Sequence, residues 1–181
     1  PENQIMGSGT ILDTARLRYG LSEHFKVAQG NIHAYVFGEH GDTSFIPWTG
    51  AYISGLSTDE YYEEMKAHGK DVKPLDKEAM LEYVQKSGGK VIAKKGATFY
   101  AVSATVCQLV GLILAASDSL ATVSSMLHGE YGIEDVCLST LTLVGPNGTQ
   151  GKVQMRMNKE EVALLKKSAD ALKEVIAQIE L

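Results

Sequence analysis

Apolar residues recur every three or four positions in two stretches of the chain, which predicts two amphipathic helices. In residues 10–25 the candidate buried positions are Ile11, Ala15, Leu17, Leu21 and Phe25. Near the end of the chain the apolar stripe consists of Val162, Leu165, Ala169, Leu172, Ile176 and Ile179. Asn158 and Glu161 have the spacing of a capping box before this second helix, which we expect to pack on a sheet.

Two further stretches favour helices of different character. Residues 58–85 are highly charged and helical in pattern, with breaks near Gly69 and Pro74. Residues 99–116 are apolar on every side, which predicts a helix buried in the core with Thr98 as its N-cap. Its apolar run is shorter than the roughly 18 residues of a membrane-spanning helix.

Strand patterns occupy most of the remainder. Residues 32–37 and 44–48 read as extended segments, and residues 121–127, 135–144 and 152–157 are rich in Val, Leu and Thr. Pro146, Asn147 and Gly148 are a reverse-turn signal between the last two of these runs. Together the elements predict one α+β domain over residues 1–181, with antiparallel or mixed sheets packed against long helices.

Composition narrows the class of protein. The chain is 44% hydrophobic and 22% charged, and its net charge of −5 lacks the basic surface of a nucleic-acid-binding protein. Cys107 and Cys137 lack the spacing of a zinc site, so we expect no metal and two buried free thiols. With neither a signal peptide nor a membrane helix in view, the expected location is the reducing cytoplasm.

The candidate chemistry is concentrated in two short motifs. Gly38-Glu39-His40-Gly41-Asp42 follows an extended segment and presents an imidazole on a tight turn. Upstream, Asp13 and Arg16 are three residues apart and project from one helix face. An imidazole, a carboxylate and a guanidinium suffice for proton transfer to a small anion if the fold brings them together. Taken singly, they also fit a surface turn histidine, a capping aspartate paired with Thr10, and a solvated arginine.

These residues also carry a family resemblance. Leu12-Asp13-Thr14-Ala15-Arg16-Leu17-Arg18 and Gly38-Glu39-His40-Gly41-Asp42-Thr43 resemble the second half of an L-lactate dehydrogenase, most closely the bacterial type activated by fructose 1,6-bisphosphate. The likeness runs through all 181 residues. It implies reversible reduction of pyruvate to L-lactate with NAD as cofactor. In that scheme His40 is the general acid/base, Asp13 orients it, Arg16 binds the substrate carboxylate, and Thr98 lines the pocket.

The resemblance also implies an activator site. In activated members an arginine and a histidine bind the sugar bisphosphate at a subunit interface of a tetramer, and their positions match Arg18 and His33. Arg18 lies about 200° around the helix from Arg16, so the two side chains should serve different sites. His33 alternates with the apolar Ile32 and Ala34, as an outward-facing strand residue does. The alternative is an ordinary surface histidine beside a surface arginine.

The nucleotide-binding half of the resembled family is not visible in this sequence. No GxGxxG motif lies between a strand and a helix, and no βαβ alternation occurs. We therefore interpret the chain as a substrate domain without its cofactor domain, and expect it to have no useful dehydrogenase activity alone. A malate or branched 2-hydroxy acid dehydrogenase domain is an alternative, although Glu39, where malate enzymes usually have glycine, favours lactate. A non-catalytic assembly module also remains open.

Overall fold

Five α-helices and eight short strands make up residues 1–179, the part of the chain described by the structure, which is a computed structural model. The helices are α1 (Ile11–Phe25), α2 (Thr58–Ala67), α3 (Lys77–Lys95), α4 (Tyr100–Leu114) and α5 (Lys159–Ile176). The strands are β1 (Ile32–His33), β2 (Tyr52–Ile53), β3 (Leu56–Ser57), β4 (Ser119–Ala121), β5 (Ser124–His128), β6 (Glu134–Ser139), β7 (Thr142–Gly145) and β8 (Gly148–Lys152). They pair in three antiparallel sheets, ordered β1-β2-β3, β4-β7-β8 and β5-β6. The predicted α+β class is confirmed.

Helix α1 forms the centre of the first core cluster. Leu17, Leu21 and Phe25 are spaced by four, and all three are buried together with residues of β1, β2 and α3. Helix α3 packs directly on α1 because Gly20 has no side chain, and a Cβ there would lie 2.7 Å from Sδ of Met80. The close contact between these two helices builds one wall of the cavity described below.

Shortening Leu21 to alanine is expected to lower the free energy of unfolding by about 2–5 kcal/mol, because it removes a fully buried side chain and leaves a cavity. Urea denaturation of the variant measures the loss. Tyr19→Ala is the matched control, since Tyr19 lies on the same helix and is exposed. Equal losses for the two variants would contradict the placing of Leu21 at the centre of this cluster.

Helix α5 packs on the β5–β6 sheet, as predicted. The predicted capping box is confirmed, with the amide of Glu161 bonded to Oδ1 of Asn158 at 2.8 Å and the amide of Asn158 bonded to Oε2 of Glu161 at 2.9 Å. Leu165 and Ala169 are buried in the second core cluster. The apolar stripe is buried only in the first half of the helix, since Ile176 near its end is exposed.

Helix α4 departs from its prediction. Its residues were expected to be buried on all sides, yet Thr105 and Leu109 are its only buried positions, and Tyr100 and Leu114 are 74% and 79% exposed. Phe99 rather than Thr98 occupies the N-cap position, without a side-chain capping bond. An apolar sequence predicts that a helix is covered, but residues 1–179 cover only one side of this one.

Several other boundaries are corrected. The third late strand is β8 rather than 152–157, although the turn at Pro146 and Asn147 that precedes it is confirmed. The segment 32–37 is regular only in β1, and residues 58–85 divide into α2 and a longer α3.

Cys107 and Cys137 are free thiols as predicted but are exposed rather than buried. No helix within residues 1–179 combines the length and the apolarity that crossing a bilayer requires.

Candidate functional site

Asp13 is the buried centre of the candidate site. Its Oδ1 accepts a hydrogen bond from Nη1 of Arg16 at 3.0 Å, and its Oδ2 lies 2.6 Å from Nδ1 of His40. The alternative of a capping aspartate is not realised, because the hydroxyl of Thr10 donates to the carbonyl of Val36 and makes no cap. Both carboxylate oxygens therefore hold a cationic or proton-bearing partner.

The turn that carries His40 is closed at its base by two pairs of backbone hydrogen bonds. Phe37 and Phe45 exchange amide-to-carbonyl bonds of 2.9 and 3.0 Å, and Gly38 is paired in the same way with Ser139 at the end of β6. This arrangement projects the His40 side chain over the first turns of α1. The ring is 62% exposed, whereas the side chain of Asp13 is almost completely buried.

The environment of His40 favours its protonated form. The hydrogen bond to the Asp13 carboxylate raises the pKa of His40 above its ordinary value of 6.5, and the negative charges of Asp13 and Glu39 act in the same direction. Partial burial and the nearby Arg16 charge oppose this rise without cancelling it. Since Nδ1 faces the carboxylate, Nε2 is the ring nitrogen left to meet a ligand.

A cavity of about 300 Å³ opens beside these three residues. Asp13, Arg16, His40 and Thr98 all line it, so the structure brings together the four residues singled out for catalysis and substrate binding. Thr98 lies half-buried between α3 and α4. The result is an open hollow that carries the Arg16 guanidinium and the His40 imidazole beside the carboxylates of Asp13 and Asp42, and it is large enough for a small organic anion.

Helix α3 contributes residues that the sequence did not single out. Nε2 of Gln85 donates to the carbonyl of Ser44 at 2.9 Å and to that of Asp42 at 3.2 Å, which ties the His40 turn to α3. Gly88 lies over the Arg16 guanidinium, and a Cβ there would be 3.7 Å from Nη2. No local pattern could have revealed these residues, because their roles depend on contacts between segments that are far apart in the sequence.

Arg18 and His33 occupy a different part of the surface. Nε of Arg18 donates to the carbonyl of Ala34 at 3.1 Å, and its guanidinium lies 5.0 Å from the centre of the Tyr35 ring. Arg18 therefore points away from Arg16, as the helical period predicts. His33 is exposed on β1, also as predicted. Among the contacts of residues 1–179, none joins the side chains of Arg18 and His33.

Residues 1–179 do not form a cradle for a dinucleotide. All their strand pairings are antiparallel, and none of their strands leads through a glycine-rich turn into a helix that would receive a pyrophosphate. Nor do these residues contain a cluster of three or more His, Cys, Asp or Glu side chains able to hold a metal ion.

The lactate/malate dehydrogenase α/β C-terminal domain family matches residues 10–180 of the chain. The L-lactate dehydrogenase of Acetivibrio thermocellus is 44% identical over the whole chain, and L-lactate dehydrogenase 1 of Clostridium acetobutylicum is 42% identical over 99% of it. The crystal structure of the minor L-lactate dehydrogenase from Enterococcus mundtii superposes with a TM-score of 0.91 at 29% identity, over the whole chain and 56% of that protein.

The chain spans little more than half the length of these relatives, 56% of each of the two curated sequences. The match to the Acetivibrio thermocellus enzyme covers the whole chain, so it includes the helix that carries Asp13 and Arg16 as well as the turn that carries His40. The family match, the identity and the shared architecture agree, and the chain belongs to the lactate/malate dehydrogenase α/β C-terminal domain family.

Proposed function

We propose that this chain is the substrate-binding and catalytic part of an NAD-dependent L-lactate dehydrogenase that interconverts pyruvate and L-lactate. The observation that carries the proposal is the double contact of Asp13, which holds Arg16 with one carboxylate oxygen and His40 with the other beside a single cavity. The names of the relatives at 44% and 42% identity support the choice of lactate.

Arg16 is the proposed clamp for the substrate carboxylate. Its planar guanidinium is largely buried, faces the cavity and uses Nη1 to bind Asp13. The other N–H groups can grip a carboxylate through two parallel hydrogen bonds, which fixes both the position and the orientation of the substrate. Gly88 lies over this group without a side chain, and a Cβ there would be 3.7 Å from Nη2, so a larger residue would cover the guanidinium.

His40 is the proposed proton donor to the carbonyl oxygen of pyruvate. Asp13 raises the pKa of His40, so more of the rings carry the proton than in a free imidazole at the same pH, with Nε2 turned to the ligand. In the reverse reaction the neutral ring accepts the proton of lactate. The hydride is supplied by the nicotinamide cofactor of the whole enzyme, and the residues described here bind and orient the acid and move its proton.

The exposed side of α4 supports a further domain as part of the working enzyme. This side is an exposed apolar surface that a complete, assembled enzyme is expected to bury, and it consists of Tyr100, Val106, Val110 and Leu114. We infer that the NAD-binding part and neighbouring subunits of a homotetramer cover it. A cytoplasmic location belongs to the same proposal, since the two exposed free cysteines suit a reducing compartment.

A chimeric enzyme tests the proposal. The N-terminal part of the Acetivibrio thermocellus L-lactate dehydrogenase is joined to this chain, and oxidation of NADH by pyruvate, oxaloacetate and a branched 2-oxo acid is followed. We expect turnover that His40→Asn lowers by roughly 100- to 10,000-fold, because the general acid is lost. A chimera that folds and binds NADH but has no turnover with any of the three acids would favour the alternative of an assembly module.

Activation by a sugar bisphosphate is a second part of the proposal. Arg18 lies on α1 with its guanidinium directed away from the cavity, toward Ala34 and Tyr35, and His33 is exposed on the following strand. In the chimera, Arg18→Ala is expected to raise the fructose 1,6-bisphosphate concentration for half-activation about 10-fold or more, since a charge-assisted phosphate contact is lost. The rate at saturating pyruvate should stay unchanged. If Arg18→Ala left the concentration for half-activation unchanged, the assignment of Arg18 to the activator site would be wrong.

A further inference from the structure

The turn of His40 is held from behind by a closed ring of hydrogen bonds. The amide of Glu39 donates to Oγ of Ser168 at 2.8 Å, Oγ of Ser168 lies 2.9 Å from Oγ1 of Thr43, and Oγ1 of Thr43 donates to Oε1 of Glu39 at 2.7 Å. A threonine hydroxyl has one proton, and Thr43 uses it on the carboxylate, so Ser168 must donate to Thr43. Every group in the ring is thereby satisfied.

Ser168 links this ring to the hydrophobic core. It is completely buried on α5, and its neighbour Ala169 and the preceding-turn Leu165 pack into the second core cluster. The contact is close, since a Cβ at Gly38 would lie 2.7 Å from Oγ of Ser168. Gly38 also has a φ of +99°, a conformation that favours glycine. The turn therefore lies directly against α5.

His40 itself has few means of holding its position. Its ring is mostly exposed, and within residues 1–179 its side chain makes one hydrogen bond, to Asp13 on α1. The distance between the ring and that carboxylate is therefore set by the backbone of the turn. Glu39 and Thr43, which Ser168 holds, flank the histidine on both sides.

We propose that Ser168 is a positioning residue for His40, holding the turn so that the imidazole meets the Asp13 carboxylate. Its consequence for catalysis rests on the proposed function, whereas its effect on the His40–Asp13 contact does not. If Ser168 only stabilised α5, replacing it would lower the free energy of unfolding without altering the titration of His40. The two roles can therefore be separated by a measurement made on this chain alone.

The test is an NMR pH titration of the histidine rings, with the His40 signal assigned by its loss in His40→Gln. The groups that face His40 are Asp13, Arg16, Glu39 and Asp42, and Ser168→Ala removes none of them. We expect Ser168→Ala to move the His40 titration downward toward the ordinary value, because the contact that raises it is loosened. The Glu39 amide should also exchange its hydrogen faster in this variant.

Three further variants separate the positioning role of Ser168 from a purely structural one. Leu165→Ala destabilises the same helix but removes no group of the hydrogen-bond ring. It should therefore leave the pH at which His40 titrates unchanged. Thr43→Val breaks the hydrogen-bond ring while leaving the sequence of α5 unchanged, and Thr43→Ser keeps the hydroxyl at this position. Thr43→Val should reproduce the downward shift and Thr43→Ser should reverse it, which covers the case in which Ser168→Ala does not fold.

An unchanged His40 titration in Ser168→Ala, or an equal shift in Leu165→Ala, would overturn the proposal. If Ser168→Ala does not fold, an unchanged titration in Thr43→Val overturns it. In the chimera, Ser168→Ala should lower kcat roughly 10- to 100-fold, because a small displacement of the proton donor is costly. A chimera without turnover would refute the dehydrogenase proposal and still leave the titration to decide the role of Ser168.

Discussion

Replacing Arg16 with lysine is expected to weaken binding of a 2-oxo acid by about 2–4 kcal/mol, or roughly 30- to 1000-fold. Lysine keeps the positive charge but loses the planar pair of N–H groups that matches a carboxylate. Arg16 is also largely buried beside Asp13, so the shorter ammonium would be drawn toward that carboxylate and away from the cavity. The loss should appear in the dissociation constant of pyruvate for this chain and in the KM of the chimera.

Arg156→Lys is the matched control for this experiment, because Arg156 is exposed and does not line the cavity. We expect this change to leave both the dissociation constant and KM within about 2-fold of the original values. If Arg16→Lys behaved in the same way as Arg156→Lys, the substrate carboxylate would have to bind elsewhere, and the assignment of the clamp would be wrong.

Replacing Asp13 with asparagine is expected to lower kcat/KM of the chimera by roughly 100- to 10,000-fold. The amide is isosteric but uncharged, so the raised pKa of His40 should fall toward or below its ordinary value. Pyruvate reduction needs the protonated ring. The rate of the unaltered chimera should therefore fall as the pH rises through the raised pKa, and in Asp13→Asn this fall should begin at lower pH.

The raised pKa of His40 also makes the stability of the unaltered protein depend on pH. Because the folded-state pKa of His40 lies above 6.5, protonation of His40 stabilises the fold fully below about pH 6.5. That contribution is lost as the pH rises through the folded-state value. The ring is 62% exposed, so solvent screens the ion pair and the effect should be small. A pH–rate profile that Asp13→Asn leaves unmoved would contradict the role of Asp13.

The elements that the sequence identified well are those whose signals are local. The amphipathic period of residues 10–25, the capping box at Asn158 and the turn at Pro146 and Asn147 each depend on residues a few positions apart. The motifs around Asp13 and His40 were equally visible, because their residue types and spacing are unusual. What remained open was whether these two motifs, separated by 27 residues, meet.

The elements that the sequence misjudged depend on distant partners. The apolar composition of α4 predicted a helix buried in the core, but within residues 1–179 most of its apolar side chains are exposed. Thr98 was expected both to cap α4 and to line the pocket; it lines the cavity but precedes the N-cap. Gln85 was assigned to the end of a charged helix, whereas it lies mid-helix and ties the His40 turn to α3.

The sequence by itself determined the chemical groups of this protein and the short segments that present them, because helix periodicity, capping and turn chemistry are set within a few residues. Only the tertiary structure decided that Asp13 binds Arg16 and His40 at once, and that Ser168 reaches the His40 turn from a helix more than 120 residues away. Such contacts depend on how separate elements pack, and packing is settled by shape and burial summed over the whole chain rather than by any one segment.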